Sequence, residues 1–137
     1  MADVVRKADY YYALVPNRAG AGAGILAELA RQGVGLLAFS GFPSGRRVQL
    51  DFVPEKPAAL AKAARKMKLE LSARKRCFLL QGRDRTGALV RVLEKLAEQG
   101  ISVTALDAAT AGGKRFGAIF WVAQDDYAQA ARLLRAR

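Results

Sequence analysis

Two stretches decide how this chain is read: NRAGAGAGILAELARQG at residues 17–33 and DRTGALVRVLEKLAEQG at residues 84–100. Aligned at a shift of 67, they share Arg18/Arg85, Gly20/Gly87, Ala21/Ala88, Leu26/Leu93, Leu29/Leu96, Ala30/Ala97, Gln32/Gln99 and Gly33/Gly100, eight identities in 17 positions. Composition alone gives far fewer, so the chain reads as a tandem duplication. Within each stretch the apolar residues recur at i, i+3, i+4, i+7 and i+8: Gly22, Ile25, Leu26, Leu29, Ala30, and Leu89, Val92, Leu93, Leu96, Ala97. That spacing marks one face of a helix. Gly33 and Gly100 stand where a helix end favours a left-handed residue.

Working outward, the same order of patterns flanks both helices. A short aromatic and aliphatic run precedes each, Tyr10–Val15 and Cys77–Leu80, and predicts a strand. A second strand is predicted at Val34–Phe39 and Ile101–Leu106. A turn containing Ser44-Gly45 or Gly112-Gly113 leads to a third, at Val48–Val53 and Phe116–Val122. Connections this short make antiparallel hairpins. A second helix follows in each copy. In the first it opens on Pro57, with the stripe Leu60, Ala63, Ala64, Met67; in the second it carries Tyr127, Ala130, Ala131, Leu134. Copy one then alternates through Lys68-Leu69-Glu70-Leu71-Ser72, a predicted closing strand, whereas copy two has no counterpart after Leu134. The fold class is therefore α+β: two tandem ferredoxin-like βαββαβ modules, residues 1–73 and 74–137. Each is an antiparallel sheet with helices on one face, and the second lacks its last strand. Its first strand would be left as a bare edge, which pairing with another module would cover.

The 137 residues are 52% hydrophobic and 26% charged, a globular composition. No apolar run approaches the roughly 18–20 residues that span a bilayer. The start of the chain has no apolar signal core, and the expected location is cytoplasmic, with no membrane association. There is no histidine, and Cys77 is the one cysteine. These counts exclude an intrachain disulfide, Ser-His-Asp or Cys-His catalysis, and His-ligated metals. No cofactor or metal is implied, and no nucleophile–base combination is visible, so no enzyme activity is expected. The 23 basic against 12 acidic residues give a net charge of +11, which attracts anionic partners. Basic residues concentrate between 62 and 76, a run read as a solvated face or as a polyanion site.

The segment Asp84-Arg85-Thr86-Gly87-Ala88-Leu89, followed by Leu93, Leu96, Ala97, Glu98, Gln99, Gly100 and Ile101, resembles the ACT domain. Copy one matches through Asn17-Arg18-Ala19-Gly20. The family consists of ferredoxin-like modules that bind amino acids and regulate metabolic enzymes. The resemblance implies a ligand lying between paired modules, where the turn after the first strand meets the start of a neighbour's second strand. By position, the turn residues are Asn17, Arg18, Ala19, Gly20 and Asp84, Arg85, Thr86, Gly87. The second-strand residues are Gly35, Leu36 and Ser102, Val103. A turn at a helix N-terminus supplies N–H donors for a carboxylate, and an Asp or Asn side chain accepts from an ammonium. Thr86 stands where proline is usual in the family, and Gly35 and Ser102 where a polar residue, commonly Asn, is frequent. Copy two is thus the better equipped, with Asp84 and Ser102. The bland alternative is that Asn17 and Asp84 only cap the turn's own amides. Arg83 and Arg85 either hold a ligand carboxylate or pair with Asp84.

Two other signals compete. Ala19–Gly24 reads AGAGAG, but Ile25 stands where the dinucleotide fingerprint needs its last glycine; a loose first helical turn is the simpler reading. Lys114-Arg115-Phe116-Gly117-Ala118-Ile119-Phe120-Trp121 resembles the third-strand motif of the RNA-recognition motif, with Phe78 as a first-strand stacker. Arg115 and Ala118 depart from it. The expectation is a stand-alone regulatory protein that binds a small amino-acid effector between modules. It would associate as a homo-oligomer and act on a regulated enzyme. The alternatives are a basic RNA-binding module and a ligand-free interaction scaffold.

Overall fold

A computed structural model of the chain describes residues 3–137. Its elements are β1 (Val4–Pro16), α1 (Ala21–Arg31), β2 (Leu36–Ser44), β3 (Arg47–Pro54), α2 (Pro57–Lys66), β4 (Lys75–Arg83), α3 (Val90–Glu98), β5 (Val103–Gly112), β6 (Arg115–Val122) and α4 (Tyr127–Leu133), with a 3-10 turn at Gln124–Asp126 before α4. The chain forms two compact units. One is Asp9–Lys75; the other joins residues 3–8 to Arg76–Arg137. β1 therefore belongs to both, its first residues to one unit and the rest to the other.

In the Asp9–Lys75 unit, β2, β3 and β1 lie in that order, antiparallel throughout. Register places Ala13 opposite Leu50 and Tyr11 opposite Phe52. Because side chains alternate along a strand, these residues share one face. They pack there with Leu29 of α1 and Leu60 and Ala63 of α2. Pro57 begins α2, where its missing N–H costs nothing. The run Lys68–Ser72 does not form the closing strand that its alternation predicts. Lys68 takes a left-handed conformation (φ 56°) that ends α2, and the chain beyond it meets β1 at Ser72. The Ser72 N–H donates to the Tyr12 carbonyl at 2.8 Å, and the Tyr12 N–H donates to Ser72 Oγ at 2.9 Å. The alternation still has a use, since Leu69 and Leu71 both pack on the core. In the basic run that the sequence singled out, Lys62, Arg65 and Lys66 stand on the exposed side of α2.

In the other unit the order is β1 (residues 4–8), β4, β6, β5, with β4–β6 and β6–β5 antiparallel. The bare edge expected on β4 is not found. Residues 4–8 occupy it, so the strand this module lacks after α4 is supplied from the beginning of the chain. Val5 is buried in the same core as Phe78, Leu96, Phe120 and Tyr127. Gly82 is needed for this approach: a Cβ there would come within 2.9 Å of Phe116 Cε1, and closer still to the Asp3 carboxylate. Tyr127 fixes the start of α4. Its hydroxyl donates to the Cys77 carbonyl at 2.7 Å, and its ring stacks on Phe78 with centroids 4.3 Å apart.

The duplication is visible in the backbone itself. Positive φ recurs at partners 67 residues apart: Gly20/Gly87, Gly33/Gly100, Gly45/Gly112 and Lys68/Arg135. All four helices close alike. The residue after the left-handed one donates back to the last turn, as Val34 to Leu29, Leu69 to Ala64, Ile101 to Leu96 and Ala136 to Ala131. This is the Schellman arrangement. Val34 and Ile101 thus begin as buried helix-closing anchors, and β2 and β5 start two residues after them, later than predicted.

Candidate ligand site at the turn after β4

β4 ends at Arg83, and the chain turns through Asp84–Leu89 before α3. Asp84 is anchored to the β5–β6 hairpin by its N–H, which donates to the Lys114 carbonyl at 2.8 Å. Gly87, at φ 75°, lets the chain reverse into the helix. Beside this turn is a cavity of about 330 Å³, bordered by Asp84, Arg85 and Gly87 and floored by Ala88, Leu89 and Phe116. Ala108, Ala109 and Thr110 of β5 close its far side. The volume lies at the lower end of the roughly 300–1,000 Å³ typical of small-molecule sites.

At the rim, the Arg85 guanidinium is engaged and the Asp84 carboxylate is not. The N-cap position of α3 is Leu89, whose side chain makes no cap hydrogen bond. The Asp84 carboxylate makes no hydrogen bond or ion pair with another described residue. The N–H groups of Thr86 and Gly87 donate to no other described residue. Arg85 does not pair with Asp84. Its Nη2 lies 2.8 Å from Asp3 Oδ2, and its Nη1 donates to the Arg83 carbonyl at 2.9 Å. The hydrogen bond to Asp3 raises the Arg85 pKa further above its ordinary value.

Asp84, Arg85 and Gly87 meet at one cavity; Thr86 stands in the same turn, outside its lining. Ser102 and Val103 are elsewhere. On β6, Arg83 is opposite Arg115 and Val103 opposite Val122. Seven residues of strand separate those points, about 23 Å. Ser102 is exposed, and Val103 packs on the core. The first unit repeats the separation, with Pro16 opposite Arg47 and Leu36 opposite Pro54 on β3. Asn17, Arg18, Ala19 and Gly20 are all exposed, and α1 also lacks a side-chain cap. A Cβ at Gly35 would fall 2.6 Å from Glu55 Oε2, the end of an exposed side chain that can swing aside. Glu55 is the residue the sequence reading missed. Its N–H donates to the Gly35 carbonyl at 3.0 Å, and its carboxylate takes the space of the polar side chain that Gly35 lacks. A Gly set against an acid 20 residues away in sequence carries no local signal.

The RNA-recognition reading loses its stacking surface. Phe78, Phe116 and Phe120 are buried among the helices, and Ile119 and Trp121 are buried as well. In α1, Gly22 and Gly24 lie in the first turns of a regular helix, and added Cβ atoms would meet open space. That is the loose-turn reading of the AGAGAG segment.

Residues 78–137 match the family model of the ACT domain. Among solved structures, the fold is that of protein BT0572 from Bacteroides thetaiotaomicron, with TM-score 0.80 and 16% identity over 96% of this chain and 88% of that one. It also resembles the regulatory subunit of aspartate kinase from Thermus thermophilus in its ligand-free form, with TM-score 0.66 and 15% identity over 98% and 95% of the two chains. The corresponding subunit from Thermus flavus gives TM-score 0.59 and 18% identity over 98% and 94%. No curated protein matches the chain in sequence. The segment matching the ACT-domain model makes up most of the second unit, whose fold is ferredoxin-like α+β.

Proposed function

We propose that this chain is a non-catalytic regulatory protein, built of two ACT-like modules (Asp9–Lys75, and residues 3–8 with Arg76–Arg137), that binds a small amino acid. The observation that carries this reading is the Asp84 carboxylate, unpartnered among the described residues, on the rim of an apolar cavity that Gly87, with its own unengaged N–H, also lines. The ligand's ammonium meets Asp84, its carboxylate meets the Thr86 and Gly87 amides, and its side chain lies against Leu89, Ala109 and Phe116. A small side chain suits the volume. The first module's turn, Asn17–Gly20, is the weaker partner, with Asn17 as its ammonium acceptor.

The family's habit of forming sites between modules fits the separation of Asp84 from Ser102. β5 is an edge strand, mostly exposed along its length, and a second copy of the chain placed along it would bring its own Ser102 and Val103 toward a turn. Homo-oligomerisation would then complete the site, and its occupancy would pass to a regulated enzyme. Chemical-shift mapping with amino acids tests the assignment. Perturbations centred on Asp84–Leu89 and Ala108–Thr110 are expected; perturbations confined to other surfaces would overturn it.

A further inference from the structure

A second cavity in the same unit, of about 600 Å³, is lined by an unusual share of the molecule's charge. Arg83, Arg85, Arg91, Lys95, Arg135 and Arg137 all border it, from the end of β4, one face of α3 and the close of α4. Among the described residues of its wall the sole acidic side chain is Asp3, and Arg85 is already committed to it at 2.8 Å. Five cations remain, none with a carboxylate partner among the described residues. Like charges gathered round one concavity repel each other and raise the local concentration of anions.

The backbone holds this arrangement at a cost. Arg135 is left-handed, φ 52°, at the closing position of α4, where α1 and α3 use glycine. An L-residue there costs roughly 1–2 kcal/mol, as at the equivalent Lys68 of the other unit. Arg137 is rooted by its main chain, which donates to the Val5 carbonyl at 2.9 Å and accepts from the Lys7 N–H at 2.8 Å. Arg91 and Lys95 are one helical turn apart and share a face.

We infer that this cavity is a binding site for a small oligophosphate, adjoining the amino-acid site proposed above, with which it shares Arg85. The guanidinium fork matches phosphate oxygens two at a time. A single phosphate ester brings roughly 1.5 to 2 negative charges, too few for five cations, whereas two or three linked phosphates come close to balance. The remaining wall is aliphatic (Val5, Val92, Leu134). No aromatic side chain is present there to stack bases, which single-stranded nucleic acid binding uses. The aliphatic wall can instead accept the nucleoside of a nucleotide.

Calorimetric titration of the full chain at low ionic strength is the test, with tripolyphosphate and ATP as probes. Saturable one-to-one binding is expected for both, weakening as salt is raised. ATP binding more tightly than tripolyphosphate would support a nucleotide ligand at the same cavity. The double variant R91E/K95E, at exposed helix positions, is expected to lose more than about tenfold in affinity, and Arg83→Gln to lose affinity in the same direction. Absence of saturable binding overturns the proposal, and so does affinity indifferent to R91E/K95E in a variant that melts like the parent. Single-stranded RNA binding more tightly than either probe and losing more through the double variant would replace it with a nucleic-acid surface.

Discussion

Arg137 and Val5, from opposite ends of the described chain, are joined by a main-chain hydrogen bond: the Arg137 N–H donates to the Val5 carbonyl at 2.9 Å. Val5 is also buried against Phe78 and Tyr127's core. The first residues of β1 are thus a structural part of a module whose other residues begin at Arg76. Val5→Ala is expected to cost about 1–3 kcal/mol, the range for removing buried methyl groups. Amide exchange should show the loss in β4 and α4. Unchanged protection of β4 would show that residues 4–8 contribute nothing to that module.

The glycines of α1 serve flexibility more than packing. Gly24 lies in the helix with nothing within 4 Å of an added Cβ. Gly24→Ala is expected to stabilise the chain by about 0.5–1 kcal/mol through helix propensity and a less flexible unfolded state. Chemical denaturation measures it directly, and a destabilised variant would mean that this position has a neighbour to meet.

Lys68 offers the reverse substitution. It stands left-handed at φ 56°, equivalent to Arg135 in the other module. Lys68→Gly is expected to raise stability by about 0.5–1 kcal/mol, because glycine takes this conformation without the Cβ penalty. A loss of stability would show that the lysine side chain contributes more than its backbone costs.

Asp51 is 3% exposed, with Gln49 Nε2 donating to its Oδ1 at 2.9 Å. Burial raises its carboxyl pKa, opposed by the Gln49 hydrogen bond and the Lys75 charge. The folded state therefore holds the proton more tightly than the unfolded state. This group's stabilisation is present below the unfolded value, about pH 4, and is lost as pH rises through the higher folded value. Asp51→Asn keeps an acceptor for Gln49. It should raise Tm at neutral pH and make little difference below about pH 4. A larger Tm gain in acid than at neutrality would reverse this assignment.

Much of the fold was legible because its signals are local. Leu26, Leu29 and Ala30, with Leu93, Leu96 and Ala97, announce two helices, and Gly33 and Gly100 announce how they end. The shift of 67 between them orders everything else. What could not be read depends on contacts across the chain. Nothing in Val4-Val5-Arg6-Lys7-Ala8 says that it joins β4 rather than ending before β1. Alternation in Lys68–Ser72 looks like a strand, although its leucines pack without a ladder. At the site, the Asp84 turn was legible from its resemblance to a family motif. The pairing of Arg85 with Asp3, 82 residues away, was not, and neither was Glu55 behind Gly35. The sequence drew attention to the basic run at 62–76. The cations that converge on one cavity come from three separate segments instead.

The central claim is that the Asp84 turn binds an amino acid. A thermal-shift screen of the twenty amino acids at millimolar concentration, on the full chain and on Asp84→Ala, tests it most directly. A ligand present at 100 times its Kd stabilises by about 2.7 kcal/mol, a shift of several degrees in a domain of this size. The account predicts a rise in Tm with one or a few small amino acids, abolished in Asp84→Ala while the unliganded Tm is kept. A flat screen, or a rise that Asp84→Ala leaves intact, would contradict it.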